Sequence, residues 1–389
     1  RGASSVLFAH VLRFVALTAL LTISAIPAVN VGLAQDASAT RDYWPTAGWK
    51  MAPPEQHGID PGMLDWADER LRAEAPLLSS IVVVKDGYIV FERNYNGYSL
   101  DQRAHTWSVS KSVTNIAVGF ALQEGIIASL DQTLGELIPY RIPADADPRV
   151  WNVTIEQLLT MTGGWAWDGR INFSRTHETD DIDAMLRRPM QCDPGTCFEY
   201  DSGCSNLLAF VVEELTGQTM ADYLQPRLFD PLGIAKPYWV VTEDDTNRGG
   251  GGLHLNTREM AKIGFLYLNG GRWEGRQIIS QEWVERSTDV QSSGVGYLSG
   301  VNIGYGPYGY HWWIQEPAGW PAFSAQGYGG QLIYVVPGLD LVVTTLFAGA
   351  DPMAPEQQQR PIPIIEEVIV PAAIASQSSG GEPAAATCC

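Results

Sequence analysis

A chain of 389 residues with 45% hydrophobic and 18% charged side chains can bury a large core, and it is globular rather than disordered. Its formal net charge of −19 at pH 7 argues against nucleic acid as a partner, because phosphate binding needs a basic face. The charge sets no such limit on a small-molecule substrate.

Phe14 to Ile26 is an apolar run with Arg13 before it and Pro27 after it, too short to span a bilayer comfortably. Gly32-Leu33-Ala34 supplies small residues before a cut near Gln35. Residues 1–35 thus read as a secretory signal peptide and the protein as exported, periplasmic or extracellular. An uncleaved membrane anchor is the alternative. No later segment is long and apolar enough to cross a membrane, so no insertion is expected after cleavage.

Residues 36–59 read as an irregular arm. Asp60-Pro61 opens a helix, with aspartate as N-cap and proline in the first turn. Ser80 to Lys85 is a valine-rich strand, Asp86-Gly87 a hairpin turn, and Tyr88 to Tyr95 the return strand.

His105 to Gly125 comes next. Ile116, Ala117, Val118, Phe120, Ala121 and Leu122 leave almost no polar face, which marks a buried helix ended by Gly125. Ser108 stands at the N-cap position, and Lys111 lies within one turn on the same face. A serine hydroxyl needs a neighbouring base to become a nucleophile. Lysine is such a base only when burial or nearby positive charge lowers its pKa. The helix N-terminus also offers N–H groups to negative charge forming near Ser108. Of the five lysines, only Lys111 has a serine three residues before it. The bland alternative is a capping serine beside a snorkelling lysine; the buried helix behind the pair favours catalysis.

The middle of the chain is helical. Thr154-Ile-Glu-Gln157 is a capping box, Ser205 to Leu215 an apolar helix, and Asn256 to Leu268 another. The last is entered from Gly249-Gly-Gly-Gly252, which reads as a flexible turn; no Gly-Lys-Ser/Thr follows to make it a phosphate loop. Cys192, Cys197 and Cys204 cluster, and Cys388 and Cys389 end the sequence. An exported compartment permits a disulfide, with the pairing open and one cysteine of the cluster left over. Zinc is the other reading, but a local fourth ligand is missing and the six histidines are scattered, so no metal or other cofactor is expected.

Tyr200, with Ser202 two residues on, lies in a loop among these cysteines. A phenol beside Lys111 can relay a proton to a leaving group. Ser324-Ala-Gln-Gly-Tyr-Gly-Gly-Gln331 leads into a strand, and its glycines permit close backbone approach and an oxyanion-binding N–H. Tyr310 to Gln315, Leu332 to Val336 and Leu341 to Phe347 read as strands, with Pro337 to Asp340 as a turn. Glu356 to Ala375 holds a final helix interrupted by prolines, before a disordered tail.

In their order and spacing these pieces resemble the serine β-lactamase-like family of class C β-lactamases, D-alanyl-D-alanine peptidases and related esterases. The resemblance covers about residues 60–350. It is carried by Ser108-Val-Ser-Lys111, Pro194-Gly to Tyr200-Asp-Ser202, Gly251-Gly-Leu with Glu259-Met-Ala-Lys-Ile-Gly264, and Gly327-Tyr-Gly-Gly-Gln331. The last piece and Asn269-Gly-Gly-Arg-Trp273 look most like the 6-aminohexanoate-dimer hydrolase branch.

The resemblance implies an α/β (α+β) fold with an antiparallel sheet flanked by helices. The sheet parts would be about residues 60–104 and 300–350, the helical part about 105–299, and residues 351–389 a C-terminal helix and tail. It implies Ser108 as acyl-forming nucleophile, Lys111 as its base and Tyr200 as proton shuttle. The N–H groups of Ser108 and Tyr328 would form the oxyanion hole, with Gly327, Gln326 and Ser202 lining the substrate. Two departures stand out. The third motif aligns as Ala325-Gln326-Gly327, without the cation that would hold a β-lactam carboxylate. Ser202 replaces the asparagine of many relatives, and Asp201 adds negative charge.

Trp107, Trp165, Trp167, Trp312 and Trp313 are candidate cleft walls for an apolar or aromatic acyl group, with core packing the commoner role, and Asp168 is a candidate positioning acid, an exposed loop acid being the alternative. The expected activity is an exported serine hydrolase cleaving a small ester or linear amide. The rivals are a DD-peptidase or β-lactamase and a non-catalytic scaffold on the same fold. An α/β-hydrolase is disfavoured because no Gly-x-Ser-x-Gly elbow occurs.

Overall fold

The computed structural model describes residues 41–166, 181–292, 297–298, 301–302, 306–349 and 361–378. The signal segment, Trp167, Asp168 and the terminal cysteines lie outside the described residues. Among the described residues, no helix is long and apolar enough to cross a membrane.

Helix α1 (Pro61–Glu74) starts as its sequence dictates, with Asp60 accepting the Gly62 N–H at 2.8 Å. Strands β1 (Ser80–Lys85) and β2 (Tyr88–Asn94) join through Asp86 and Gly87, both at positive φ, as a tight hairpin requires. The chain then passes a two-residue strand β3 (Ala104–His105) into helix α2 (Val109–Gln123). The capping-box helix α3 (Ile155–Leu159) follows, then α4 (Ile182–Leu186) and α5 (Ser202–Thr216). A short β4 (His254–Leu255) leads into α6 (Thr257–Leu268). Four late strands close the sheet: β5 (Trp313–Gln315), β6 (Ala322–Gly327), β7 (Gln331–Val336) and β8 (Leu341–Leu346).

The sheet runs β2-β1-β8-β7-β6-β5, antiparallel throughout. Early and late strands thus form one sheet, as expected. β1, β7 and β8 are buried along their whole length because helices cover both faces. One face meets α2 and α6, with α5 packed against α2; the other meets α1 and the C-terminal helical segment.

Several elements differ from the sequence reading. The apolar helix starts at Ser202, not Ser205, because Asp201 caps it and accepts the Gly203 N–H at 2.7 Å. Only Trp313 to Gln315 of the 310–315 run is strand, because His311 sits at φ +59° and turns the chain. Ala322 to Gly327 is itself a strand, so the segment that leads into the 331–336 strand is its hairpin partner. The arm from Arg41 is irregular but anchored, with Trp44 and Trp49 packed on Phe265 of α6. Near the C-terminus, Pro371 does not break the helix. A π-helical turn at Ile365–Ile369 precedes it, loosening the backbone where proline removes a donor.

Helix α6, from the middle of the sequence, belongs to the sheet layer. Gly264 lets it approach: a Cβ there would lie 2.7 Å from Ile333 Cγ2 and 2.8 Å from Val342 Cγ1. Gly264→Val is expected to cost about 1–3 kcal/mol and lower Tm by several degrees in a thermal scan. An unchanged Tm would mean that α6 can shift off the sheet at little cost.

Candidate active site

The entry to α2 is fixed by a small polar lattice. β3 pairs with β4, His105 opposite His254. The Thr106 N–H and hydroxyl both donate to the Leu253 carbonyl at 2.8 Å. The Ser110 hydroxyl donates to the Trp107 carbonyl at 2.7 Å and accepts the Leu253 N–H at 3.2 Å. These bonds hold Trp107 at φ +50°, a region costly for a bulky side chain.

Ser108 occupies the N-cap position but does not cap. Its backbone is helical (φ −71°, ψ −5°), whereas a capping serine needs an extended backbone to reach back to the helix N–H groups. The N–H groups of Val109, Ser110 and Lys111 bond instead to the carbonyls of Thr106, Trp107 and Ser108. They are not open to an anion, contrary to the expectation for the whole helix end. The Ser108 N–H has no acceptor among the described residues.

The freed Ser108 hydroxyl faces Lys111, with Nζ 3.0 Å from Oγ. Lys111 Nζ also lies 2.9 Å from Ser202 Oγ and 2.6 Å from the Gly250 carbonyl oxygen. The side chain is 1% exposed. Burial pushes its pKa down to about 7, against the opposing pull of Asp201 and Cys204. The glycine run at 249–252 is therefore a buried turn wedged between helices rather than a loose one. A Cβ on Gly249 would run into the Ser205 carbonyl, and one on Gly250 would lie 2.9 Å from Ser202 Cβ. Asn206 Oδ1 accepts the Gly250 N–H at 2.7 Å, and Thr114 donates to the Gly249 carbonyl at 2.9 Å.

Tyr200 is buried against Trp313, ring centroids 5.5 Å apart and stacked, with the Tyr308 ring edge-on at 6.1 Å. Its centroid is 5.1 Å from Lys111 Nζ. Burial pushes its pKa up to about 12, partly offset by a hydrogen bond with Ser108. Ser202 sits in the first turn of α5, not in a loop. Asp201 is buried and held by Arg188, whose two terminal nitrogens lie 3.1 and 2.7 Å from its two oxygens. The negative charge that Asp201 adds is thus spent on Arg188 and the helix cap.

The segment before Tyr200 is tied down twice. Cys192 and Cys197 form a disulfide with Cα atoms 6.4 Å apart, leaving Cys204 free and buried. The Gly195 and Glu199 N–H groups bond to the carbonyls of Thr162 and Met161 at 2.8 and 2.9 Å.

β6 closes the site. A Cβ on Gly327 would collide with the Thr106 carbonyl, so only glycine lets the strand end come this close to the α2 entry. The Tyr328 ring meets Trp107 at 5.6 Å. Ala325 pairs with Ile333 and joins the core on the α2 side. Gln326 pairs with Leu332, which belongs to the opposite core, and its amide donates to Ser324 Oγ at 2.9 Å. Strand alternation thus turns Gln326 away from Ser108, and its expected substrate contact does not fit this placement. Trp165 and Trp312 are core residues, not cleft walls.

Sequence reasoning missed His311. Its Nδ1 lies 3.0 Å from the Lys111 carbonyl, which accepts only, so this nitrogen carries the proton. Nε2 then faces the Ser205 hydroxyl at 3.3 Å. Burial pushes its pKa down to about 3, so it is a neutral bridge between α2 and α5. An isolated histidine with no neighbouring motif carried no signal of this. Among the described residues, no group of three or more His, Cys, Asp or Glu is arranged to hold a metal ion.

A hydroxyl bonded to a buried amine that loses its proton near neutrality, beside a neutral phenol, can be deprotonated and attack a carbonyl carbon. Comparison with known proteins gives the family and the fold. The beta-lactamase family model matches residues 72–362. A 6-aminohexanoate-dimer hydrolase of Paenarthrobacter ureafaciens is 26% identical over 307 residues, 73% of this chain and 76% of its own length. A lovastatin esterase of Penicillium rubens is 26% identical over 196 residues, 44% of this chain and 48% of its own. Among solved structures, a penicillin-binding protein homolog from Caulobacter crescentus aligns with TM-score 0.62 at 17% identity, covering 82% of this chain and 99% of that one. A family VIII carboxylesterase aligns with TM-score 0.63 at 16% identity, covering 83% and 98%. At such identities the solved structures speak for the fold alone. The family match spans most of the sequence, and the chain belongs to the beta-lactamase family of serine hydrolases.

Proposed function

We propose that this protein cleaves a small ester or linear amide through an acyl-enzyme on Ser108. The observation that carries the reading is Lys111 Nζ, buried and 3.0 Å from the Ser108 hydroxyl. The Gly250 carbonyl can only accept, so it takes one N–H of the neutral amine; Ser202 Oγ takes the other. The nitrogen lone pair is then left for the Ser108 proton.

Attack of Ser108 Oγ on the carbonyl carbon sends that proton to Lys111. The oxyanion develops against the N–H groups of Ser108 and Tyr328. The C–O or C–N bond to the leaving group breaks as the Tyr200 phenol protonates it, and the Lys111 ammonium restores the phenol. Water, deprotonated by the same amine, then attacks the acyl carbon; the bond to Ser108 Oγ breaks, the Lys111 ammonium returns the proton to that oxygen, and the acyl group leaves as an acid. Tyr200 works here as a neutral relay, because burial holds its proton to about pH 12.

An ester or amide is favoured over a β-lactam or cell-wall peptide by the apolar Ala325 where a substrate carboxylate would need a cation. Similarity to both a lovastatin esterase and a 6-aminohexanoate-dimer hydrolase fits this reading. The signal-like residues 1–35 support action outside the cytoplasm.

Ser108→Ala is expected to lower kcat/KM by roughly 10⁴-fold or more on any substrate found, with Tm unchanged. A fluorophosphonate probe mapped by mass spectrometry is expected on Ser108 and absent from Lys111→Met; label on another serine would overturn the assignment. The kcat/KM profile is expected to rise with pH and inflect near 7, as the amine loses its proton. An acid limb below pH 5 would point to a carboxylate base instead. Tyr200→Phe is expected to cost roughly 10²-fold in kcat, and an unchanged kcat would remove the relay.

A further inference from the structure

The Asp201 carboxylate is 2% exposed, and it belongs to the residue before Ser202, whose hydroxyl meets Lys111 Nζ. A buried carboxylate near a buried amine ordinarily pairs with it, and a lysine so paired keeps its proton and is a poor base. Here the carboxylate is taken by Arg188, from the chain just after α4. Its two terminal nitrogens lie 3.1 and 2.7 Å from the two Asp201 oxygens, a forked pairing that a lysine ammonium does not make. The guanidinium reaches this place through a gap in α5. Gly203 is the second residue of that helix; a Cβ on it would collide with Arg188 Nη2 and lie 2.9 Å from Asp201 Oδ1. The Trp165 ring also packs on the guanidinium, its centroid 5.9 Å from Cζ.

We propose that Arg188, admitted by Gly203, is a positioning residue for the reaction: it holds the Asp201 carboxylate to itself, and so leaves Lys111 free to act as the neutral base for Ser108. The inference rests on the reading of Ser108 and Lys111 as nucleophile and base.

Among the described residues, the other groups that face Lys111 are uncharged at pH 7. From α5 comes the Cys204 thiol, which burial pushes well above its ordinary pKa. Ahead of α5 stands the Tyr200 phenol, pushed up to about 12, and from the 308–313 segment comes the His311 ring, pushed down to about 3 and bonded to the Lys111 carbonyl. The glycine turn brings the Gly250 carbonyl, α2 the Ser108 hydroxyl, and β6 adds only apolar Ala325 to the core on this side. Asp201 is thus the negative charge to which Lys111 answers, and it pulls toward the protonated amine. Arg188 is the positive charge that competes for it. The two also act in opposite senses on Cys204, whose thiol feels Lys111 as well, so all four side chains share one electrostatic neighbourhood.

The direct test uses protein carrying ¹³Cε-labelled lysine, because the chain has only five lysines and the Lys111 resonance is the one missing from Lys111→Met. In the wild type it should titrate near 7. Arg188→Met removes the guanidinium; Gly203→Ala displaces it with a residue that suits a helix better than glycine. Each should move the midpoint up by roughly one pH unit or more. In the Arg188→Met/Asp201→Asn double variant it should return to 7 or below, with asparagine still able to cap α5. A role for Arg188 in packing alone would not be undone by removing its partner's charge. The rate of fluorophosphonate labelling at Ser108 should follow the same midpoints. At pH 7 it should fall roughly fivefold in each single variant and recover at high pH, as a one-unit shift in the amine requires. Should Arg188→Met fail to fold, Gly203→Ala and the double variant carry the test. Midpoints that stay near 7 in the single variants overturn the proposal, as does a raised midpoint that the double variant leaves raised. No label on wild-type Ser108 would instead overturn the hydrolase reading, and the lysine titration would still decide what Arg188 does.

Discussion

The Lys111 amine is held by three oxygens in a space with almost no water access, and much of the surrounding structure exists to keep it there. One of those oxygens stands at the N-cap of α2 and one in the first turn of α5; the third comes from the glycine turn between them. Any widening of the gap between the two helices would break the set. The fold closes the gap with groups that cannot easily yield: the Asn206 amide on Gly250, Thr114 on Gly249, and neutral His311 spanning both helices. The large sheet behind α2 fixes the platform on which these contacts are made.

Burying an amine this completely works against stability. Its pKa falls to about 7 in the folded protein, against about 10.4 for an unperturbed lysine. Between those values the unfolded chain binds more protons than the folded one. Stability therefore rises with pH across that window and carries its full penalty below pH 7. The opposite pull of Asp201 is muted by its pairing with Arg188. An unpaired carboxylate at that position would hold the proton on Lys111. The same ion pair therefore caps a helix and leaves the amine able to lose its proton near neutrality.

Sequence revealed those parts of the site that are local. Ser108 and Lys111 are one turn apart on a helix whose burial is plain from composition, and the hairpin, caps and late strands follow from short-range rules. What escaped is non-local. The Gly250 carbonyl and His311 reach Lys111 across 139 and 200 residues, and neither carries a motif. Some misses were avoidable. Asp201 before Ser202 is a good N-cap, and would have moved Ser202 from loop to helix. Trp312 and Trp313, as neighbours, could not both line one cleft; Trp313 stacks on Tyr200 while Trp312 packs on Tyr267 and Phe323. Strand alternation would likewise have separated Ala325 from Gln326.

The cross-link between Cys192 and Cys197 stands three residues before the phenol that leans on Lys111. With the thiols oxidised, that short stretch reaches Tyr200 with little freedom; with them reduced, backbone hydrogen bonds alone guide it. Protein made in a reducing bacterial cytosol and protein recovered from an oxidising compartment are therefore different materials. Variant libraries screened in the first host would rank substitutions near Tyr200 by how well they restore order to an untethered loop. Such a ranking need not carry over to the oxidised enzyme.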